Sequence, residues 1–238
     1  MGKVAWFSCG ATSAITCYLA LKEDSDTEIV YIETGSHHED CKRFLMDCEE
    51  KLFKKKIKIL QSKYKNIFDV FERTNMIRTP KYAPCTELLK RRVREEFEYN
   101  HPDIDTYYWG FDKCQREEQR AKRMIERYPQ FKHKFPLIEN NLTKENCLAL
   151  LGNFNIKLPV MYEMGYHNNN CVGCVKGGMG YWNKIRKDFP EIFERMAKLE
   201  RKIGHHALKE CFLDELEPNR GNINEKITPQ CSIFCGMV

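Results

Sequence analysis

The stretch Val4-Ala5-Trp6-Phe7-Ser8-Cys9-Gly10-Ala11-Thr12-Ser13 constrains this chain more than any other. An apolar run breaks abruptly into small hydroxyl, thiol and glycine residues. Ala14-Ile15-Thr16-Cys17-Tyr18-Leu19-Ala20-Leu21 then places apolar residues at helical spacing, so the stretch reads as strand, tight loop, helix. Small residues let backbone N–H groups approach a phosphate, and the helix N-terminus adds partial positive charge. Ser8, Thr12 and Ser13 can donate hydroxyl hydrogen bonds to the same oxygens. An ordinary β–α turn with Thr12 or Ser13 as helix cap fits the stretch equally well.

Strand and helix patterns alternate along the rest of the chain. Expected strands follow at Glu28–Ile32, Ile57–Leu60, Thr106–Phe111 and His133–Ile138. Helices are expected over His38–Phe53, around Ile67–Phe71, over Cys85–Glu98, through the charged run ending at Tyr128, and from Thr143, whose turn resembles a capping box. Such alternation favours right-handed βαβ crossovers and an α/β fold, a doubly wound and mainly parallel five-stranded sheet flanked by helices. Ligands of these sheets bind beyond the carboxyl ends of the strands, where Ser8–Ser13 and Glu33-Thr34-Gly35-Ser36-His37-His38 fall. Beyond Leu158 the pattern changes to a Cys-containing helical and irregular segment. We therefore expect a nucleotide-binding domain over 1–158 and an extension over 159–238.

Composition narrows the partners. No apolar run nears the roughly 20 residues needed to span a membrane. Met1-Gly2-Lys3 enters the strand pattern at once, leaving no room for a signal peptide, so a cytoplasmic location is expected. The net charge of +5 is mild, and Lys54-Lys55-Lys56 and Lys90-Arg91-Arg92 read as solvated faces that also suit an anionic substrate. The 12 cysteines are expected to be thiols, metal ligands or redox groups rather than disulfides. Cys17, Cys41, Cys48, Cys114 and Cys147 stand singly in helix-like segments and read as small core residues.

Taken in order, these segments resemble the phosphoadenylylsulfate (PAPS) and adenylylsulfate reductases of the PP-loop superfamily, whose fold is Rossmann-like. Ser8-Cys9-Gly10-Ala11-Thr12-Ser13 is similar to the SGGxxS phosphate loop, and Glu33 to His38 to the ETGxxHP segment. Pro84-Cys85-Thr86-Glu87-Leu88-Leu89-Lys90 resembles the family's cysteine-containing helix start. Pro136 to Leu150 is similar to PLxxWTxxDV, and Leu158 to Cys174 to PxNPLYxxGYxxxGCxxC. Three departures stand out. Cys9 replaces the first loop glycine, and no charged residue lies near Ala11. Gly110-Phe111-Asp112-Lys113 lacks the arginine directly after the strand, a place that Arg116, Arg120 or Arg123 could fill. Pro84-Cys85 stands where adenylylsulfate reductases carry adjacent cysteines.

The resemblance implies an enzyme of sulfur metabolism that binds an adenine nucleotide, either ATP or adenylylsulfate/PAPS. Ser8, Cys9, Gly10, Ala11, Thr12, Ser13, Glu33, Thr34, Gly35, Arg116 and Arg120 would form the nucleotide site. Cys231 falls near the place of the family's attacking cysteine, with Cys235 as resolving thiol and thioredoxin or glutaredoxin as external donor. Cys85, Cys171 and Cys174 would supply three thiolates to a [4Fe–4S] cluster. A four-thiolate zinc site of Cys171, Cys174, Cys231 and Cys235 is the alternative. A second reading is an ATP-pyrophosphatase that adenylates an acceptor for sulfur transfer to nucleic acid. A third is a non-catalytic nucleotide-binding accessory protein. No membrane partner is expected, and assembly as a homo-oligomer is left open.

Overall fold

The opening apolar run forms β1 (Gly2–Phe7), the middle strand of a sheet completed by β2 (Glu28–Glu33), β3 (Ile57–Gln61), β4 (Ile104–Tyr108) and β5 (Lys132–Lys134). The computed structural model describes residues 1–80 and 82–227. The strand order is β3-β2-β1-β4-β5, and β1 pairs in parallel with β2 and with β4, as β4 does with β5. The expected α/β fold with a five-stranded, mainly parallel sheet is what the chain adopts.

Between and after the strands run α1 (Ala11–Glu23), α2 (Cys41–Asp47), α3 (Ile67–Thr74), α4 (Pro84–Thr86), α5 (Arg92–Asn100) and α6 (Gln115–Arg127). They are followed by α7 (Pro136–Glu139), α8 (Lys144–Asn153), α9 (Val160–Glu163), α10 (Met179–Asp188) and α11 (Pro190–Ile203). Two compact units interleave along the sequence. One comprises Met1–Ile32, Glu39–Leu60 and Phe97–Glu163; the other comprises Glu33–His38, Gln61–Glu96 and the described residues from Met164 on. The division expected at 158/159 cuts the chain once, whereas these units exchange segments.

In the first unit successive β1 side chains point to opposite faces, and both faces are buried. On one face Phe7 meets Phe53 edge-on with ring centroids 5.6 Å apart and also contacts Tyr31 and Phe44. This face belongs to a core that takes in Ile15, Cys17 and Ala20 of α1, with α7 and α8 packed on that helix. On the other face the Trp6 ring stacks with Tyr107 and Trp109, at 6.4 and 6.3 Å. Each such aromatic pair adds about 0.5–1.5 kcal/mol to the burial of its surface.

The second unit is built on helices. The Asn66 side chain caps α3 by accepting from Asp69 N at 3.0 Å, and α3 buries Ile67, Phe68, Val70 and Phe71. Helices α10 and α11 pack together, enclosing Trp182, whose ring lies 6.3 Å from that of Phe193. The buried Glu200 carboxylate accepts hydrogen bonds from Ala207 N and, at 2.6 Å, from Leu213 N, tying down the segment after α11.

Several local expectations need correction. The helix expected from His38 begins at Cys41, and from Cys48 to Phe53 it continues as a wider π-helical turn. The fourth strand starts earlier, at Ile104, and ends at Tyr108 rather than Phe111. The fifth covers only Lys132–Lys134, because Pro136 occupies the first turn of α7, where its missing N–H costs nothing. Cys114 is not a core residue: it is the exposed residue preceding α6, with Sγ 3.4 Å from Asp112 Oδ1.

Candidate functional site

The loop after β1 is organised around one hydroxyl. Ser13 Oγ, nearly buried, accepts from Ser8 N at 3.0 Å, Ser8 Oγ at 3.0 Å and Gly10 N at 3.4 Å, and donates to the Gly10 carbonyl at 2.9 Å. Gly10, extended at φ −118°, precedes α1, so these donors gather at the N-terminus of a 13-residue helix. The helix cap is thus neither Thr12 nor Ser13 in the ordinary sense; Ser13 reaches back from the third helical position. Gly110, just past β4, lies so close that a Cβ there would sit 2.9 Å from Ser13 Cα, which only glycine permits.

Cys9 does not face the loop's donors. Its backbone is left-handed at φ 60°, and its thiol is fully buried, donating to the Cys41 carbonyl at 3.2 Å. The position keeps the glycine-like backbone while the side chain fills the core.

Tyr162, on α9, joins this loop. Ala11 N donates to its hydroxyl at 3.4 Å, and the hydroxyl lies 3.5 Å from where a Cβ on Gly10 would begin. A clamp fixes α9. Asp40 accepts from Arg43 Nε and Nη2 at 2.7 and 2.8 Å and from Val160 N at 2.9 Å. Arg43 in turn donates to the carbonyls of Lys157 at 2.9 Å and Leu158 at 3.0 Å. The paired Asp40 carboxylate raises the Arg43 pKa further, with Asp47 adding to it against partial burial. Gly110, Tyr162 and this clamp were not singled out from the sequence as site residues; the available signals were a glycine directly after a central strand and the place of Tyr162 in the Leu158 to Cys174 segment.

Arg116 and Arg120 occupy the first two turns of α6. Arg120 is engaged by Glu117 at 2.5 and 2.8 Å and lies over the Phe111 ring at 4.5 Å. It is a structural ion pair as it stands.

In the second unit Glu33 Oε1 accepts from Gly35 N at 2.7 Å, and Thr34 Oγ1 lies 3.4 Å from both His37 Nδ1 and Cys171 Sγ. Gly35 has φ +64°, and a Cβ there would stand 1.9 Å from the Lys65 carbonyl oxygen, so glycine is obligatory. Ser36 Oγ accepts from Ile67 N at 3.0 Å, which fastens this loop to α3. Cys85, Cys171 and Cys174 all line one pocket of about 440 Å³, open mouth included, alongside Thr34 and Phe71. The Tyr181 hydroxyl accepts from Cys174 N at 2.9 Å and lies 3.3 Å from the Cys171 carbonyl, shaping the cysteine turn.

The structure thus brings the three sulfurs to one pocket. Among the described residues, however, no three His, Cys, Asp or Glu side chains are disposed to hold one metal ion. No chemical step is assigned to a cluster at these three thiols. Cys231 and Cys235 lie outside the described residues, and with them the four-thiolate zinc alternative. No helix among the described residues is long and apolar enough to cross a membrane.

Comparison with known proteins agrees with this architecture. Two uncharacterized proteins of Methanocaldococcus jannaschii are similar in sequence. One is 25% identical over 87% of this chain and 43% of its own length, the other 24% identical over 84% and 47%. The chain thus spans less than half the length of these curated relatives. The crystal structure of a phosphoadenylyl-sulfate reductase from Candida auris, in complex with phosphate, shares the fold. It superposes with a TM-score of 0.54 over 72% of this chain and 82% of that one, at 12% identity. The sequence profile of the phosphoadenosine phosphosulfate reductase domain matches residues 3–178, about three quarters of the chain, from within β1 to beyond the Cys171–Cys174 turn. The chain belongs to the phosphoadenosine phosphosulfate reductase domain family.

Proposed function

We propose that the chain binds an adenine nucleotide by its phosphate at Ser8–Ser13 and reduces an activated sulfate, adenylylsulfate or its 3′-phosphate, with thiols. The observation that carries the binding half is the Ser13 hub. One nearly buried hydroxyl collects Ser8 N, Ser8 Oγ and Gly10 N at the head of α1. A phosphate oxygen can replace that hydroxyl as acceptor, gaining several N–H and O–H donors and the helix charge at once. Family membership supports the reductive half.

On this reading the Cys231 thiolate attacks the sulfur of the bound sulfuryl group. The new S–S bond forms as the S–O bond breaks, and the nucleoside phosphate departs with that electron pair. A second thiol, from Cys235 or an external dithiol protein, then attacks the Cys231 sulfur. A disulfide forms and sulfite leaves.

The test is sulfite release from adenylylsulfate and from its 3′-phosphate by the anaerobically purified chain with reduced thioredoxin. We expect release from one of the two, and its loss in Cys231→Ser. Absence of sulfite from both nucleotides would sink the assignment. Pyrophosphate from ATP with a nucleic-acid acceptor, undiminished in Cys231→Ser, would instead identify an ATP-dependent sulfur-transfer enzyme. Nucleotide binding without either turnover would identify an accessory protein.

A further inference from the structure

A phosphate bound at Ser8–Ser13 brings negative charge to a loop that contains no lysine, arginine or histidine. Neutral donors and the partial charge of a helix end meet that charge only in part. The structure carries a full cation toward the loop from a distant part of the sequence. Lys144, the first residue of α8, has Nζ 5.3 Å from the centroid of the Tyr162 ring. The hydroxyl of that same ring accepts from Ala11 N and overlies Gly10. One aromatic ring therefore bridges from the loop's donors to an ammonium group.

Each end of this bridge is fixed independently. The start of α8 is set by a reciprocal cap: Thr143 Oγ1 accepts from Asn146 N at 3.3 Å, and Asn146 Oδ1 accepts from Thr143 N at 2.9 Å. Helix α9 is set by the Asp40–Arg43 clamp. Between them the ring quadrupole attracts the ammonium, at a distance where the interaction is effective.

We propose that Lys144 and Tyr162 complete the phosphate seat, Lys144 as the charge partner of the bound phosphate and Tyr162 as the positioning residue. The proposal rests on the reading of Ser8–Ser13 as a phosphate site and adds the residues that set its charge. When a phosphate oxygen takes over the Ala11 N–H, the Tyr162 hydroxyl is released to donate its own proton to that oxygen. Lys144, half-buried on a flexible stem, then exchanges the ring face for the phosphate. The seat selects for a phosphorylated nucleoside over the uncharged nucleoside.

The test is calorimetric binding of AMP to the full chain, with adenosine followed in parallel by ligand-observed NMR. Lys144→Ala should weaken AMP by about tenfold or more, the size of one hydrogen bond to a charged group. Lys144→Arg should restore most of that loss, and Tyr162→Phe should weaken AMP while leaving the melting temperature near that of the unsubstituted chain. Adenosine binding should be indifferent to all three. An equal loss for adenosine, or no recovery in Lys144→Arg, would overturn the proposal by showing a general structural effect. Unchanged AMP affinity in Lys144→Ala, with affinity lost in Ser13→Ala, would overturn it while leaving the phosphate loop in place. No AMP binding by the unsubstituted chain would overturn the loop reading and this proposal together.

Discussion

Cys9 pays for a backbone that suits glycine. A left-handed backbone costs a non-glycine residue about 1–2 kcal/mol. At φ 60° it carries that cost, which its buried thiol offsets through core contacts and the hydrogen bond to Cys41 O. Replacing Cys9 by alanine keeps the strain and discards the contacts; replacing it by glycine discards both. The usual stability order should therefore invert, with Cys9→Gly above Cys9→Ala by about 1 kcal/mol in urea unfolding and both below the unsubstituted chain. If Cys9→Ala were the more stable variant, the strain assigned to this position would be wrong. The sequence showed that Cys9 was unusual. It could not show that the thiol turns inward, because Cys41, its partner, is 32 residues away. Gly35 is similar: its place in a small polar loop was plain, but the carbonyl of Lys65 that forbids a side chain there comes from another segment.

At the scale of elements, the short helix α9 has little stability of its own and is held by tertiary ties. A four-residue helix cannot persist in isolation. The Asp40 carboxylate meets Val160 N and the Arg43 guanidinium together, and Arg43 spans to two carbonyls just before α9. Asp40→Ala leaves Arg43 without its bidentate partner and frees the start of α9. We expect a loss of about 1–2 kcal/mol, moderated because the pair is partly exposed. We also expect faster amide exchange confined to residues 157–163 and weaker AMP binding through Tyr162. Uniform exchange across the chain would show that the clamp serves global stability only. The continuous apolar runs of β1 and β2 and the helix-spaced apolar residues of α1 were legible from the sequence. β5 was not: its strand covers three residues, and the apolar residues after it belong to α7, begun by Pro136. Tyr162 stands in the Leu158 to Cys174 segment that carries the family resemblance, yet it escaped notice as a site residue because its tie to Ala11 N spans 151 positions.

For the whole molecule, the sequence implied a parallel α/β sheet but not the strand order, nor the interleaving of the two units. Neither leaves a break in composition, since the second unit takes two of its segments from within the first. Stability against pH is likewise a property of the assembled chain. Asp105, held low by Lys132 and then Thr106, contributes stability above its ordinary value of 3.8 that is lost as the pH falls through its lower folded value. Burial raises Cys147 from 9.0 to about 12, so its contribution is lost only as the pH rises beyond 9. Glu200 acts between these limits. Burial lifts it from 4.5 to about 7, against the pull of the Ala207 and Leu213 N–H donors. The folded chain then retains a proton that the unfolded chain releases, so this contribution is full below pH 4.5 and declines as the pH rises through 7. The change is on the order of 3 kcal/mol. Glu200→Gln cannot accept from both N–H groups and should melt lower at pH 5, yet show a flatter profile and converge with the unsubstituted chain by pH 8. Thermal melts from pH 5 to 8 decide it: equal slopes in the two proteins would remove Glu200 as the source of the decline.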